Sequence, residues 1–397
     1  MDPRGLGAER LAEVPFSGIR KVFEAVRRLE AEGRRVVHWQ IGRPDFDTPA
    51  HIKAAAVAAL ERGEVHYAPN AGIPLLREAI ARRHGLDTGR AADPATQVIV
   101  MAGANEGVMV SMLALVNPGD EVLVPTPNWH HYRACVHLAG GVPVEVPLRE
   151  EDGFELKAAE VGARLGPRTR MLVLASPHNP TGAVVGEGDL AAIAELARRG
   201  DFLVLSDEIY TRITYEGVRA RSIASFPGME ERTIVVNGFS KAYSMDGWRL
   251  GWTVASPAIT SHLLKVRQYT TVCVNTFIQH GAAAGLAGDQ ACVEEMVAAF
   301  AARRRVILDG LRSIPGVSAA EPGGAFYVFP NVASFGRSSQ EMADYLLNKH
   351  GVATVAGSAF GSGGEGYLRI AYSCSLEECR EGVGRLRGAL GASGGRR

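Results

Sequence analysis

Asn237-Gly-Phe-Ser-Lys-Ala-Tyr-Ser-Met-Asp-Gly-Trp-Arg-Leu-Gly-Trp252 continues from the apolar run Thr233 to Val236, placing Lys241 just past a strand and Arg249 eight residues later in a turn rich in Ser and Gly. A lysine is costly to bring against apolar surroundings because its ammonium must shed water. Lys241 therefore reads either as an ordinary surface lysine or as one kept beside the strand for its chemistry. The run before it is short, rich in Val and Ile, and ends in a polar turn. That is the pattern of a strand covered on both faces.

The pattern recurs along the chain. Glu121 to Val124, Val142 to Pro147, Arg170 to Ala175 and Phe202 to Ser206 are short aliphatic runs bounded by Pro, Gly, Asn or Asp, and Gln97 to Met101 is a further strand. Between them the apolar period lengthens to that of helices over Ile52 to Arg62, Leu75 to His84, Asn105 to Val116 and Asp189 to Arg199. This alternation predicts one large α/β domain over residues 50–285. An amphipathic helix over Asp289 to Ile314, strands at Ala325 to Phe329 and Leu368 to Ala371, and a helix near Ser339 to His350 predict a smaller α+β domain over 286–397. Residues 1–49, with a helix near Ser17 to Glu32 and the loop Ile41 to Pro49, form an N-terminal arm packed with it. Gly361 to Gly366 is expected as a mobile loop and Gly391 to Arg397 as a frayed tail.

Composition narrows the class. Of 397 residues 46% are apolar and 22% charged, with 46 glycines, the balance of a globular enzyme with many tight turns. Forty-three basic residues offset 43 acidic ones, so no basic field points to nucleic acid or to an anionic membrane. The five cysteines contain no Cys-x-x-Cys pair, which suggests neither a disulfide framework nor a zinc site and makes a reducing cytoplasm the expected location. No apolar run approaches the roughly 18 residues that span a bilayer, and the opening residues lack a signal-peptide core.

Five further features each meet one need of a pyridoxal phosphate (PLP) site. Phe202-Leu-Val-Leu-Ser-Asp-Glu-Ile-Tyr210 ends a strand in Asp207, whose carboxylate can pair with a pyridinium nitrogen; an N-cap aspartate followed by a core tyrosine is the other reading. Ala175-Ser-Pro-His-Asn-Pro-Thr-Gly182 offers Asn179, which with Tyr210 could donate to the ring's phenolate oxygen, although Asn-Pro-Thr-Gly is also an ordinary turn. Met101-Ala-Gly-Ala-Asn-Glu-Gly107 leads into a helix whose N-terminus suits a phosphate, with Arg249 as a bidentate donor. In Pro125-Thr-Pro-Asn-Trp-His-His-Tyr132, Trp129 could stack on a pyridine ring or be a core indole, and His130-His131 lacks the second ligand pair a metal needs. Gly366-Tyr-Leu-Arg-Ile-Ala-Tyr372 puts Arg369 in an apolar strand, where its guanidinium needs either a substrate carboxylate or an internal salt bridge.

Together these motifs resemble the class I/II aminotransferases, the aspartate aminotransferase-like branch of the fold-type I PLP enzymes. The similarity runs from Ile41-Gly-Arg-Pro-Asp-Phe-Asp-Thr-Pro49 through Tyr67-Ala-Pro-Asn-Ala-Gly-Ile-Pro74 and Pro118-Gly-Asp-Glu-Val122 to Arg369. The resemblance implies an α/β fold of type I: a large domain with a mostly parallel seven-stranded sheet flanked by helices, plus a smaller α+β domain. It implies that Lys241 carries PLP through a Schiff base, that Asp207 contacts the ring nitrogen, that Asn179 and Tyr210 contact the phenolate oxygen, and that Trp129 stacks on the ring. Gly103, Ala104, Asn105, Ser240 and Arg249 would surround the phosphate. Arg369 would take the substrate α-carboxylate with help from Gly42 and Asn179. Tyr67 would reach the phosphate of a neighbouring subunit, which implies a homodimer with shared active sites. The implied activity is ping-pong transfer of an amino group from an α-amino acid to an α-oxo acid, with Lys241, Asp207 and Tyr210 catalytic and no metal.

Three departures mark this chain: Asp246 stands where many relatives have Thr, the His130-His131 pair falls near the implied ring position, and no lysine in the phosphate loop supports a dicarboxylic specificity. The rival reaction on this scaffold is β- or γ-elimination, replacement or ring formation, because the cofactor is the electron sink and pocket groups divert the carbanion. A PLP-sensing regulator would need a basic DNA-binding module, and a nicotinamide oxidoreductase a glycine fingerprint; neither stands among the motifs.

Overall fold

The predicted runs become strands and helices in the computed structural model, which describes residues 7–16 and 18–391. In chain order the elements are α1 (Gly18–Ala31), β1 (Val37–His38), α2 (Ala50–Glu61), α3 (Pro74–Thr88), β2 (Val98–Met101), α4 (Ala104–Leu115), β3 (Glu121–Thr126), α5 (His131–Leu138), β4 (Val142–Pro147), α6 (Ala158–Gly162), β5 (Thr169–Ala175), α7 (Glu187–Gly200), β6 (Leu203–Asp207), β7 (Thr233–Gly238) and β8 (Gly251–Val254). There follow α8 (Pro257–Arg267), α9 (Thr276–Ala287), α10 (Ala291–Arg312), β9 (Tyr327–Val328), α11 (Ser339–His350), β10 (Val352–Ala353), β11 (Val355–Ala356), β12 (Leu368–Ala371) and α12 (Leu376–Gly391). Ser17, at the start of the first predicted helix, and residues 392–397 of the expected tail lie outside the described residues.

Seven strands form one sheet in the order β2-β8-β7-β6-β5-β3-β4. Every pairing is parallel except those of β8, which runs antiparallel between β2 and β7. The fold expected from the sequence is met. Aliphatic residues cover both faces. Ile99, Val122, Met171, Leu205 and Ile234 pack with α4, α5 and α8 on one side, while Leu123, Leu172, Leu174 and Val204 pack with α6 and α7 on the other. Each such side chain contributes about 1.5–3 kcal/mol on burial, which explains why these strands read as continuous apolar runs rather than alternating ones. β8 was not foreseen, because its first two residues, Gly251 and Trp252, close the stretch that carries Lys241 and Arg249.

A second core gathers α10, α11 and α12 over the three-stranded sheet β11-β12-β9, with Phe300, Phe326, Leu346 and Leu386 at its centre. β1 pairs with β10, Val37 opposite Val352, so the chain's beginning is tied to this core. The Gly361 to Gly366 stretch, expected to be mobile, is pinned instead. Gly363 N–H donates to Thr126 Oγ1 and Ser362 Oγ to Glu145 Oε2. An added Cβ on Gly364 would lie 2.0 Å from Gly357 O, so close backbone approach, not flexibility, explains the glycines there.

Candidate active site

A cavity of about 270 Å³ opens at the C-terminal ends of the parallel strands and is closed from the far side by Gly42, Tyr327 and Arg369. This is where an open α/β sheet leaves its loops diverging and its side chains free. β6 ends in Asp207; Trp129, Asn179 and Lys241 stand three or four residues beyond β3, β5 and β7; Ala104 and Asn105 open α4 after β2. Of the residues singled out from sequence, Gly42, Ala104, Asn105, Trp129, Asn179, Asp207, Tyr210, Ser240, Lys241, Arg249 and Arg369 all line it.

Lys241 does not end in bulk solvent. Its Nζ donates to Gly42 O at 2.7 Å, and enclosure pushes its pKa down to about 8, with Asp246 pulling upward and Arg369 and Arg249 downward. Asp207 is 3% exposed. Its Oδ2 accepts from Tyr132 Oη at 2.7 Å and its Oδ1 from Ile209 N–H at 3.1 Å. Burial raises its pKa, while those two donors and Lys241 hold it back. No α-helix starts at Asp207, so the N-cap reading fails; the core-tyrosine reading holds in part, since Tyr210 packs against Phe326 and shares a 2.7 Å hydrogen bond with Tyr327 Oη.

Arg369 is 2% exposed. Its Nη2 donates to Gln40 O at 2.8 Å and its Nη1 to Asn179 Oδ1 at 3.4 Å, while Nε is buried with no partner. Its guanidinium lies over the Tyr327 and Phe360 rings, and no ion pair joins it to a described residue. A buried cation of this kind calls for an anion from outside.

The opposite end of the cavity is built for a second anion. No side chain caps α4, so the N–H groups at Ala104 and Asn105 are left free at the positive end of the helix. Gly103, at φ 85°, does not line the cavity itself but lets Arg249 in: a Cβ there would sit 2.6 Å from Arg249 Nη2. Trp129 forms a wall, its ring stacked on His131 at 4.5 Å and edge-on to Tyr132. His131 Nε2 lies 3.2 Å from Asn105 O, which ties this wall to the α4 end.

The family model described as aminotransferase class I and II matches residues 34–386. The chain belongs to this family. It is a transferase enzyme that moves amino groups, similar to aromatic-amino-acid aminotransferase 2 of Thermococcus litoralis, 41% identical over 96% of this chain and 98% of that one. The aspartate aminotransferase of Pyrococcus abyssi is 42% identical over the same shares. Among solved structures, the aromatic aminotransferase from Pyrococcus horikoshii superposes with a TM-score of 0.88 at 42% identity, covering 94% of this chain and 99% of that one.

Besides Gly103, which lies just behind the lining, Tyr67 is the site candidate that this aminotransferase does not bring to the cavity. It is 89% exposed and lies beside a separate hollow with Val65, Cys273 and Phe277. Two cavity residues with polar side chains were given no role from the sequence, Tyr132 and Tyr327. Tyr132 ended a quoted motif, but nothing local links it to Asp207, 75 residues away. Tyr327 sits in a strand whose neighbours are all apolar or aromatic. The set fits PLP on the structure's own terms: a lysine, a buried carboxylate, an anion cup with an arginine, and an aromatic wall around one cavity.

Proposed function

We propose that this aminotransferase binds PLP at Lys241 and carries an amino group from an α-amino acid to an α-oxo acid in a ping-pong cycle. The observation that carries this is Arg369, a buried guanidinium without a carboxylate partner, facing the same cavity as Lys241 and Asp207. PLP, when bound, supplies an electron sink for the charge that develops at the substrate Cα. Asp207 would hold the ring nitrogen, Asn179 and Tyr210 the phenolate oxygen, and Trp129 the ring face; Gly103, Ala104, Asn105, Ser240 and Arg249 would hold the phosphate.

The protein's own groups do the rest. Arg369, helped by Gly42 and Asn179, grips the α-carboxylate with its planar fork and so fixes which bond at Cα points away from the ring plane. Lys241 Nζ takes the Cα proton and gives it up again. An amine whose pKa is depressed to about 8 is suited to both directions near neutral pH. The cavity's apolar walls, with Tyr327 and Phe360 against Arg369, keep water from the reacting atoms.

The same reading divides the chain into an arm (1–49), a large cofactor-binding domain (50–285) and a small domain (286–397). The Asp45–Arg303 ion pair at 2.6 Å, and Phe46 set edge-on against Phe300, support an arm that travels with the small domain. The exposed Tyr67 supports a homodimer in which it completes the neighbour's phosphate site. In that case two inactive variants, Tyr67→Phe and Lys241→Ala, regain part of the activity when mixed as hybrid dimers, and no recovery means self-contained sites. A cytoplasmic location fits the unpaired cysteines, and no helix among the described residues is long and apolar enough to cross a membrane.

Incubation with a panel of amino acids tests the reaction. The expected products, read by mass spectrometry, are an oxo acid and the aminated cofactor. A released leaving group with unchanged PLP would mean elimination or replacement instead. Amines lacking the carboxylate should react at least ~100-fold more slowly, because they leave Arg369 unpaired.

A further inference from the structure

Among the described residues, Asp246 is the one carboxylate besides Asp207 that lines the Lys241 cavity, and no role above falls to it. Its position is firmly held. It opens the single 3-10 turn Asp246–Trp248, five residues past Lys241, between two non-glycine residues in left-handed backbone, Ser244 at φ 51° and Arg249 at φ 55°. Such backbone persists only where its surroundings fix it. Thr48 does so here: its Oγ1 donates to Ser244 O at 2.7 Å and accepts from Trp248 Nε1 at 3.1 Å. Arg249 Nη1 donates to the Asp246 carbonyl at 2.9 Å, but the Asp246 carboxylate takes no hydrogen bond or ion pair from a described residue.

The other groups facing Lys241 are accounted for. Arg249, Arg369 and Asp207 are the remaining charges around it; the Tyr210 and Phe326 rings lie 5.8 and 5.9 Å from Nζ, and the Tyr327 hydroxyl is on the same Gly42 carbonyl. With a phosphate on Arg249, a carboxylate on Arg369 and a ring nitrogen on Asp207, Asp246 is the charge left to act on Lys241. Its negative charge also opposes the effect of burial on that lysine.

We propose that Asp246 is a positioning residue whose negative charge keeps a proton on the Lys241 nitrogen near neutral pH. The inference rests on the reading that Lys241 bonds PLP. An anion favours the protonated cation, so it raises the pH at which that nitrogen loses its proton, and removing the anion lowers it.

The visible absorbance of the cofactor-loaded protein, titrated against pH, measures this directly. Asp246→Asn and Asp246→Thr are expected to lower the midpoint by roughly 0.5–1 pH unit, without loss of bound cofactor, whereas Asp246→Glu keeps it within about 0.3 unit of wild type. If the Asn variant fails to fold, the Thr variant carries the test. An unchanged midpoint in the uncharged variants overturns the inference and leaves the proposed function standing. A shift as large in the Glu variant overturns it too, since shape rather than charge would then be responsible. Wild-type protein without a borohydride-bleachable visible band overturns both.

Discussion

Lys241→Ala is expected to lower turnover by at least ~10⁴-fold, the upper range for loss of a general base, and to abolish the borohydride-reducible bond to PLP. No other residue takes over. The other basic side chains of the cavity, Arg249 and Arg369, carry guanidinium groups, which make poor general bases, and Tyr210 and Tyr327 are pushed above the ordinary phenol range by burial. Stability should be nearly unchanged. Lys241 makes one hydrogen bond, to Gly42 O, and its burial in a low-dielectric cavity is itself unfavourable, so thermal unfolding of the protein without cofactor should shift little. Turnover by initial rates, cofactor attachment by borohydride reduction with mass analysis, and unfolding by calorimetry separate these effects. A variant that still holds PLP covalently, or keeps a tenth of the wild-type rate, removes Lys241 from the mechanism.

The sheet was legible because its strands are covered on both faces, so each announces itself as an aliphatic run that stops at a polar residue. The stop is also where the cavity opens, which is why Asp207, Asn179, Trp129 and Lys241 could be picked out one strand at a time. The antiparallel β8 escaped because it begins two residues after Arg249 and its first half, Gly251-Trp252, closes that residue's motif. Pairings between distant segments escaped for a different reason. Tyr210 meets Tyr327 across 117 residues of chain, and Asp207 meets Tyr132 across 75; neither pairing leaves a trace in local pattern. Arg369 was left open between a substrate and an internal partner, and only the packing could choose. Gln40 O, Asn179 Oδ1 and two aromatic rings surround it, and no carboxylate among the described residues pairs with it. The Gly361 to Gly366 stretch misled because glycine serves flexibility and close approach alike, and composition does not distinguish them.

Asp207→Asn is expected to fold, to keep PLP, and to lose ~10³-fold or more in turnover, equivalent to about 4 kcal/mol of transition-state stabilisation. The amide has the carboxylate's shape but not its charge. Asp207 is held by two donors, Tyr132 Oη and Ile209 N–H, one on each oxygen. Asparagine offers a single acceptor oxygen, so one donor is left facing an NH2 group, at a cost of about 1–3 kcal/mol in folding stability. That cost is well below the catalytic one, which makes the two separable by measuring unfolding beside kcat. The catalytic loss has its own cause: without an anion at the end of β6, nothing in the cavity would hold a proton on the ring nitrogen, and a neutral ring draws electrons from Cα far less strongly. Burial raises the Asp207 pKa, so the ionised form depends on its donors and on the nearby cation Lys241. The loss should therefore appear in kcat more than in cofactor affinity, since on the proposed reading Arg249, Ser240 and the α4 N-terminus, which line the cavity apart from Asp207, would hold the phosphate. Near-normal turnover in the Asn variant would remove the ring-nitrogen contact from the mechanism, whereas loss of PLP together with loss of turnover would mean that Asp207 acts through binding alone.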